Sequence, residues 1–168
     1  PTRDLPKSSD NWRYKIIKER KLWTLTSLAL ELVKNKHEID VFFTPTHYLP
    51  PFAPRKSAIS VLDVSYILFP NLFKKKDLIQ LKKWTSYSVK KAKKIITISQ
   101  SSKSDIIKEY GVSSDKVTVV YPGIKKVLSM DDLKNNFGID KKFILFVGTI
   151  QPRKNISRLI EAFSHVIQ

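Results

Sequence analysis

Two cations at the start of a predicted helix are the residues of this sequence best suited to bind an anion. Arg153 and Lys154 stand directly before residues 155–167, where apolar side chains recur at helical spacing. The first N–H groups of a helix have no partner inside it, and with the helix dipole they attract negative charge. This pattern predicts a phosphate-binding turn, although paired cations are also common in solvated surface turns.

A short apolar run precedes this turn. Residues 143–148 (FILFVG) have the continuous hydrophobicity of a buried strand, and Gly148 stands where the strand would end. Glycine lets a backbone turn sharply or lets a ligand approach closely. We therefore expect a strand–turn–helix corner whose anion-binding residues are Gly148, Arg153, Lys154 and Asn155.

A second group of candidate residues follows other predicted strands. Asp63, Ser99, and the pair His47 and Tyr48 all stand near strand ends. Ligands of open parallel sheets bind at the carboxyl ends of the strands, so these residues could line a cleft, with His47 as a general base. Each has a plainer alternative: Asp63 could cap the turn after it, Ser99 could cap a helix, and His47 could lie on a proline-rich surface turn.

The elements that must position these residues alternate between strands and helices. We predict strands at residues 40–44, 57–64, 94–99 and 117–121, and helices at 12–34, 74–94 and after Ser99. Ser102 and Asp105 fit a capping box for the last of these helices, which Gly111 should end. Residues 123–142 are predicted to be a linker with one short helix near 133–137. The alternation predicts an α/β protein with parallel sheets.

Composition limits the function. Among 168 residues, 31 are Lys or Arg and 15 are Asp or Glu, so the net charge of +16 favours an anionic partner such as a nucleotide diphosphate, acidic lipid or nucleic acid. The absence of cysteine excludes disulfides and thiolate metal sites, and no carboxylates or histidines are spaced to hold a metal. No apolar run is long enough to span a membrane, and no signal-peptide pattern opens the chain. We therefore expect a cytoplasmic protein.

The charge is concentrated in the predicted helix at 74–94. Lys76, Lys83 and Lys90 recur every seven residues on one face, with Trp84 and Tyr87 close by. Such a face is usually only solvated. Its density and its aromatic neighbours also fit peripheral contact with an anionic membrane.

Four blocks of sequence resemble, in order, a known enzyme family. They are DVFFTPTHYLPPF, SAISVLDVSYILFPNLF, AKKIITISQSSKSDIIKEYGVSSDKVTVVYPGI and FILFVGTIQPRKNISRLIEAF. All are similar to blocks of the retaining glycosyltransferases of family 4, which have the GT-B fold of two Rossmann-like domains. The nearest resemblance is to bacterial mannosyltransferase-like members that build surface polysaccharides.

The resemblance implies a domain organisation. Residues 1–122 would be part of the N-terminal, acceptor-side Rossmann-like domain, and 123–142 the interdomain linker. Residues 143–168 would supply the first strand and helix of the C-terminal donor-binding domain. The chain would then be an internal fragment of a longer enzyme, and inactive by itself.

The resemblance also implies residue roles. Lys154 matches the lysine that neutralises the donor diphosphate, and Gly148 the glycine at the same strand end. Arg153 would be a second phosphate contact, because the family's arginine directly after the glycine is Thr149 here.

On the acceptor side, Asp63 matches the aspartate of a His-Asp pair and is the expected catalytic residue. Leu62 occupies the histidine position, and His47 lies too far away in sequence to be called its replacement.

The implied reaction is transfer of a hexose, with mannose favoured, from a GDP- or UDP-sugar to a glycan or lipid-linked acceptor with retention. No cofactor or metal is expected, because fixed cations and helix N–H groups can stabilise the diphosphate leaving group. Two alternatives remain open. One is a non-catalytic basic module that binds anionic membrane or nucleic acid, although no base-reading motif is present. The other is a GT-B enzyme of different chemistry, such as a sugar-nucleotide epimerase.

Overall fold

The computed structural model describes residues 7–18, 22–124 and 143–166. The chain divides into two compact units, Pro1–Ile124 and Lys125–Gln168. Each unit is built from its own elements. None of the helices in the described ranges is long and apolar enough to cross a bilayer.

A four-stranded, wholly parallel sheet forms the centre of the first unit. Its strands are β1 (Phe42–Thr44), β2 (Ser57–Ser60), β3 (Lys94–Thr97) and β4 (Val117–Val119), and their order in the sheet is the same as their order in the chain. The strands are rich in β-branched and aromatic residues, which suit a pleated surface. The predicted α/β architecture with a parallel, Rossmann-like sheet is confirmed.

Four helices accompany this sheet: α1 (Ser27–Lys34), α2 (Ser65–Leu68), α3 (Lys75–Lys91) and α4 (Gln100–Tyr110). Helix α4 shows how local sequence sets the bounds. The Ser99 hydroxyl accepts a hydrogen bond from the Ser102 amide, which satisfies a first-turn donor. Gly111 ends the helix in the left-handed conformation at φ 62°, where a side chain would be strained.

The core of the first unit lies against one face of the sheet. Thr44, Ile59, Ile95 and Val117 are register partners across the four strands, and all four are buried. Each helix longer than one turn contributes an apolar side chain to this core: Leu32 from α1, Val89 from α3 and Ile106 from α4. The helices therefore cover the same row of strand side chains.

One helix prediction for the first unit is wrong in its bounds, and one capping prediction is wrong in its residues. The helix predicted for residues 12–34 begins only at Ser27, because residues 22–26 form turns in which the amides of Leu25 and Thr26 both bond to the Leu22 carbonyl. Leu22 has a left-handed backbone at φ 58°, which a helix cannot contain. The capping box predicted at Ser102 and Asp105 is also wrong, because Ser99 caps the helix.

The second unit has a 3₁₀ turn at Pro152–Lys154 followed by α5 (Ile156–Val166). The strand predicted for residues 143–148 is not formed, and residues 143–150 are irregular. A strand needs a hydrogen-bonded neighbour, and no strand of the described part of this unit supplies one. The short helix predicted near residues 133–137 lies outside the described residues.

The central row of the sheet should carry much of the stability of the first unit. Ile95→Ala leaves a cavity at a fully buried position, so we expect the free energy of unfolding to fall by about 2–5 kcal/mol. The matched change Ile79→Ala, at a position 67% exposed on α3, should alter it by less than about 0.5 kcal/mol. Urea unfolding measures both changes, and equal losses would show that Ile95 is not part of the stabilising core.

Candidate functional site

The carboxyl ends of β1, β2 and β3 bring three of the predicted site residues to one edge of the sheet. His47, Asp63 and Ser99 each follow a strand within three residues, and the strands are parallel neighbours. Hydrogen bonds continue past the strand ends: the Ser60 amide donates to the Thr46 carbonyl at 3.3 Å, and the Val61 amide to the Ile96 carbonyl at 2.8 Å. The loops that carry the candidate residues therefore start from fixed positions.

Asp63 lies exposed at the end of the second of these strands. One of its carboxylate oxygens, Oδ1, accepts a hydrogen bond of 2.8 Å from the Ser65 amide. This is the capping role that the sequence offered as the plainer alternative. The other carboxylate oxygen makes no hydrogen bond within the described part of the chain, so Asp63 can still accept one from a ligand hydroxyl.

His47 is half-buried at the end of β1. Its ring packs edge-on against Tyr48, with the centroids 4.1 Å apart, and its Nε2 is buried without a hydrogen-bond partner among the described residues. Burial lowers the pKa of the His47 imidazole, and the nearby charge of Asp63 opposes that shift. The lowered pKa favours the neutral form of the His47 imidazole, and the two side chains interact electrostatically although they are 16 positions apart in the sequence.

Tyr48 connects this edge of the sheet to α3. Its ring packs edge-on against Trp84 at a centroid distance of 5.6 Å. Burial, followed by the neighbouring Tyr66 and Asp77, raises the pKa of its hydroxyl. The hydroxyl thus stays protonated and can donate a hydrogen bond.

Ser99 acts as a helix cap. Its Oγ accepts from the Ser102 amide at 3.0 Å and donates to the Ser102 Oγ at 3.0 Å. The capping alternative is therefore confirmed. The Ser99 hydroxyl therefore already accepts one hydrogen bond and donates another. Its role is to cap the helix at the strand end more than to contact a ligand.

A tyrosine pair near Asp63 was missed from the sequence. Tyr66 is buried on α2, and its hydroxyl is hydrogen-bonded to the hydroxyl of Tyr110 on α4. Burial is the largest cause that raises the pKa of Tyr66, and the charge of Asp63 contributes to the same shift. Periodicity could not find this pair, because its members lie 44 residues apart and meet only when α2 and α4 pack on the same sheet.

The predicted anion-binding residues lie together in the second unit. Arg153, Lys154 and Asn155 are exposed in the turn directly before α5, and Asn155 has a left-handed backbone at φ 51°. The Arg153 Nε donates to the Gln151 Oε1 at 3.0 Å, whereas the Lys154 ammonium makes no hydrogen bond or ion pair with any described residue. Gly148 precedes them, and a Cβ there would lie 3.1 Å from the Phe146 ring.

No three His, Asp or Glu side chains within residues 7–18, 22–124 and 143–166 are grouped so that they could hold a metal ion. The chemistry that these residues can offer is hydrogen bonding and charge. A neutral imidazole, a carboxylate and a phenol lie in one unit, and two cations precede a helix in the other.

Comparison with known proteins finds sequence similarity to glycosyltransferases. Residues 65–126 match the model of the family described as Glycosyltransferase Family 4. The chain is 30% identical to the O-antigen chain mannosyltransferase RfbU of Salmonella typhimurium over 118 residues, which cover 69% of this chain and 31% of that protein. The chain is therefore similar to glycosyltransferases of family 4 over residues 65–126.

Other relatives of this family 4-like chain are also mannosyltransferases. O-antigen chain mannosyltransferase B of Escherichia coli is 26% identical over 134 residues, 73% of this chain and 34% of that protein. The serotype-specific mannosyltransferase WbdA of Escherichia coli is 32% identical over 82 residues, 44% of this chain and 10% of that protein. The chain spans about a third of the length of the first two relatives and a tenth of the third.

The family match begins just after Asp63 and covers α2, α3, β3, α4 and β4. It includes Ser99 but neither His47 nor the cations before α5. The family match therefore does not bear on His47, Arg153 and Lys154, and any role for them must be argued from their geometry in the structure.

The buried His47 imidazole should make stability depend on pH. Because its pKa is lowered in the folded chain, the unfolded chain binds the proton first as the pH falls. The free energy of unfolding should therefore decrease from the usual histidine pKa of about 6.5 down to the folded-state pKa, and its contribution should be constant below that. His47→Phe should remove this slope in urea unfolding measured over a pH series.

The matched control is His37→Phe at an exposed position, which should keep the slope of the unmodified chain. If the His47→Phe variant loses stability with acid as steeply as the unmodified chain, another group is responsible.

Proposed function

We propose that this chain is part of a retaining hexosyltransferase that transfers mannose from a nucleotide-diphosphate sugar to a glycan or lipid-linked acceptor. The observation that carries the proposal is its similarity to three mannosyltransferases together with the match to glycosyltransferase family 4. The resulting enzyme would belong to the two-domain GT-B class, with residues 1–122 on the acceptor side.

The cationic turn of the second unit supports binding of the donor diphosphate. Arg153 and Lys154 stand three and two positions before Ile156, the first residue of α5, and the first amides of that helix have no partner inside it. The negative charge that develops on a diphosphate leaving group would meet two fixed cations and a helix N-terminus. These residues would supply that stabilisation by themselves, with neither a cofactor nor a metal.

The residues at the strand ends of the first unit support the proposal that this unit binds the acceptor. Asp63 has one carboxylate oxygen without a protein partner in the described ranges, and burial favours the neutral form of the His47 imidazole. We assign Asp63 to the reaction centre and His47, Tyr48 and Ser99 to the cleft that surrounds the acceptor. A neutral imidazole can accept a hydroxyl proton, and an ionised carboxylate can hold the resulting imidazolium in place.

The proposal includes peripheral contact with the cytoplasmic face of an anionic membrane. Helix α3 has six lysines and one aspartate, and Lys76, Lys83 and Lys90 are all exposed. Each lysine near an anionic surface contributes roughly 1 kcal/mol of attraction, which salt screens. Such contact would keep the enzyme close to lipid-linked acceptors.

Substitution of Lys154 tests the proposed donor site. In an active enzyme that contains this chain, Lys154→Ala should reduce transfer from a nucleotide sugar about 100-fold, because a preorganised charge on the leaving group is lost. Arg158→Ala, one turn further along α5 and also exposed, should change transfer little. The assay follows labelled sugar into product, and circular dichroism checks that both variants fold.

Undiminished transfer by the Lys154→Ala variant would reject the phosphate assignment. If labelled nucleotide sugar is instead converted without any acceptor, the enzyme is an epimerase and the transferase assignment is wrong.

A further inference from the structure

An apolar groove lies between the turn at residues 22–26 and α3. Its volume is about 220 Å³, and it is lined by Leu25, Tyr48, Leu49, Lys83, Trp84 and Tyr87, with Ser88 at its base. An apolar cavity of roughly 150 Å³ is already large enough for a benzene ring. The groove can therefore accommodate a hydrocarbon segment.

The groove offers few hydrogen bonds to a polar ligand. The Ser88 hydroxyl donates to the Trp84 carbonyl at 2.7 Å and accepts from the Leu49 amide at 2.8 Å. The Tyr87 hydroxyl accepts from the Lys91 ammonium at 2.9 Å. A sugar ring or a nucleic-acid base would lose its hydrogen bonds to water on entering such a site and would regain few of them, which disfavours both.

Cations surround the opening of the groove. Lys83 forms part of its wall, and Lys91 lies 5.3 Å from the centre of the Tyr87 ring. Lys76, Ile79, Lys83, Tyr87 and Lys90 form one exposed stripe along α3, at the spacing of a single helix face. Exposed apolar side chains between lysines are typical of helices that lie at an anionic membrane surface.

The adjoining turn adds exposed apolar surface. Leu22 is 62% exposed and Trp23 is 37% exposed, although a water-soluble surface usually presents large apolar side chains singly. Since Leu25 of the same turn lines the groove, the turn and the α3 stripe border the same opening.

We propose that this groove receives one acyl chain of an anionic phospholipid from a bilayer, while Lys83 and Lys91 contact the lipid phosphate. This inference rests on the peripheral membrane contact proposed above, and it names the groove as the site that anchors the protein to the lipid. Charge complementarity selects the occupant: the walls fit hydrocarbon and the rim fits an anion, and an anionic phospholipid combines the two. A single inserted chain binds only weakly, and the surrounding lysines supply the second contribution that stable attachment needs.

The experiment uses the 168-residue chain and vesicles of phosphatidylcholine, with or without phosphatidylglycerol. Leu25→Trp fills the groove without changing the charge, so we expect its affinity for the mixed vesicles to fall about tenfold. Lys83→Gln should lower the affinity about fivefold. Leu30→Trp on the exposed side of α1 and Lys108→Gln on α4 are the matched controls and should bind as the unmodified chain does. Thermal unfolding checks that each variant folds.

A second measurement reports insertion directly. In a Trp12→Phe/Trp23→Phe background, which removes the two other tryptophans, phospholipids brominated on the acyl chain should quench the fluorescence of Trp84 in the groove. The quenching should be absent in vesicles without bromine. If Leu25→Trp binds normally while Lys83→Gln binds weakly, the contact is electrostatic only and the groove proposal is wrong. Absence of vesicle binding, or displacement from vesicles by duplex DNA with no bromine quenching, would also overturn it.

The outcome is independent of the transfer reaction. Lys154→Ala should leave vesicle binding unchanged, and Leu25→Trp should leave nucleotide-sugar binding unchanged. Failure of the anchor and failure of the proposed transferase can thus be told apart.

Discussion

Parallel pairing of four short strands around one buried row of side chains is the constraint on which the first unit depends. Thr44, Ile59, Ile95 and Val117 are aligned across the sheet and are almost fully removed from water. Because the strands run in the same direction, their carboxyl ends must fall on one edge. The hydrophobic effect that aligns this row therefore also brings His47, Asp63 and Ser99 to the same edge, although they are separated by up to 52 positions in the sequence.

Helix α3 serves both the core and the surface. Thr85, Ser88 and Val89 are buried against the sheet side, and the lysines and Tyr87 occupy the exposed side. Ser88 links the two functions, since its hydroxyl holds the Leu49 amide and so fixes the loop after β1. That loop carries His47 and Tyr48. The orientation of His47 and Tyr48 and that of the groove wall are thus set by packing of the same helix.

The elements that sequence could predict are those encoded by local periodicity. All four strands of the sheet, α3, α4 and α5 lie where apolar spacing indicated, and Gly111 ends α4 as expected. The long helix at residues 12–34 was wrong because apolar spacing does not report the left-handed backbone at Leu22. The strand predicted at 143–148 was wrong because strand pairing requires a neighbouring strand, which periodicity cannot report.

For the site, the sequence could predict which candidate residues lie near strand ends. The burial of His47, its electrostatic interaction with Asp63, the tyrosine pair and the groove arise from contacts between distant segments, and no local pattern encodes them.

The proposed donor-side residues and the proposed acceptor-side residues lie in different units and are built differently. The cationic turn is held by short-range hydrogen bonds, in which the Lys154 amide donates to the Gln151 carbonyl at 2.9 Å and the Asn155 amide to the Pro152 carbonyl at 3.1 Å. Its geometry therefore forms even though the apolar residues 143–147 are exposed and unpaired. The strand-end residues His47, Asp63 and Ser99 come to one edge of the sheet only after three strands have paired. A cationic turn before a helix can be predicted from a few consecutive residues, whereas the residues at a sheet edge are brought together only by the fold. This difference explains why Arg153, Lys154 and Asn155 could be placed together from sequence spacing, while the electrostatic interaction between His47 and Asp63 emerged only from the arrangement of β1 beside β2.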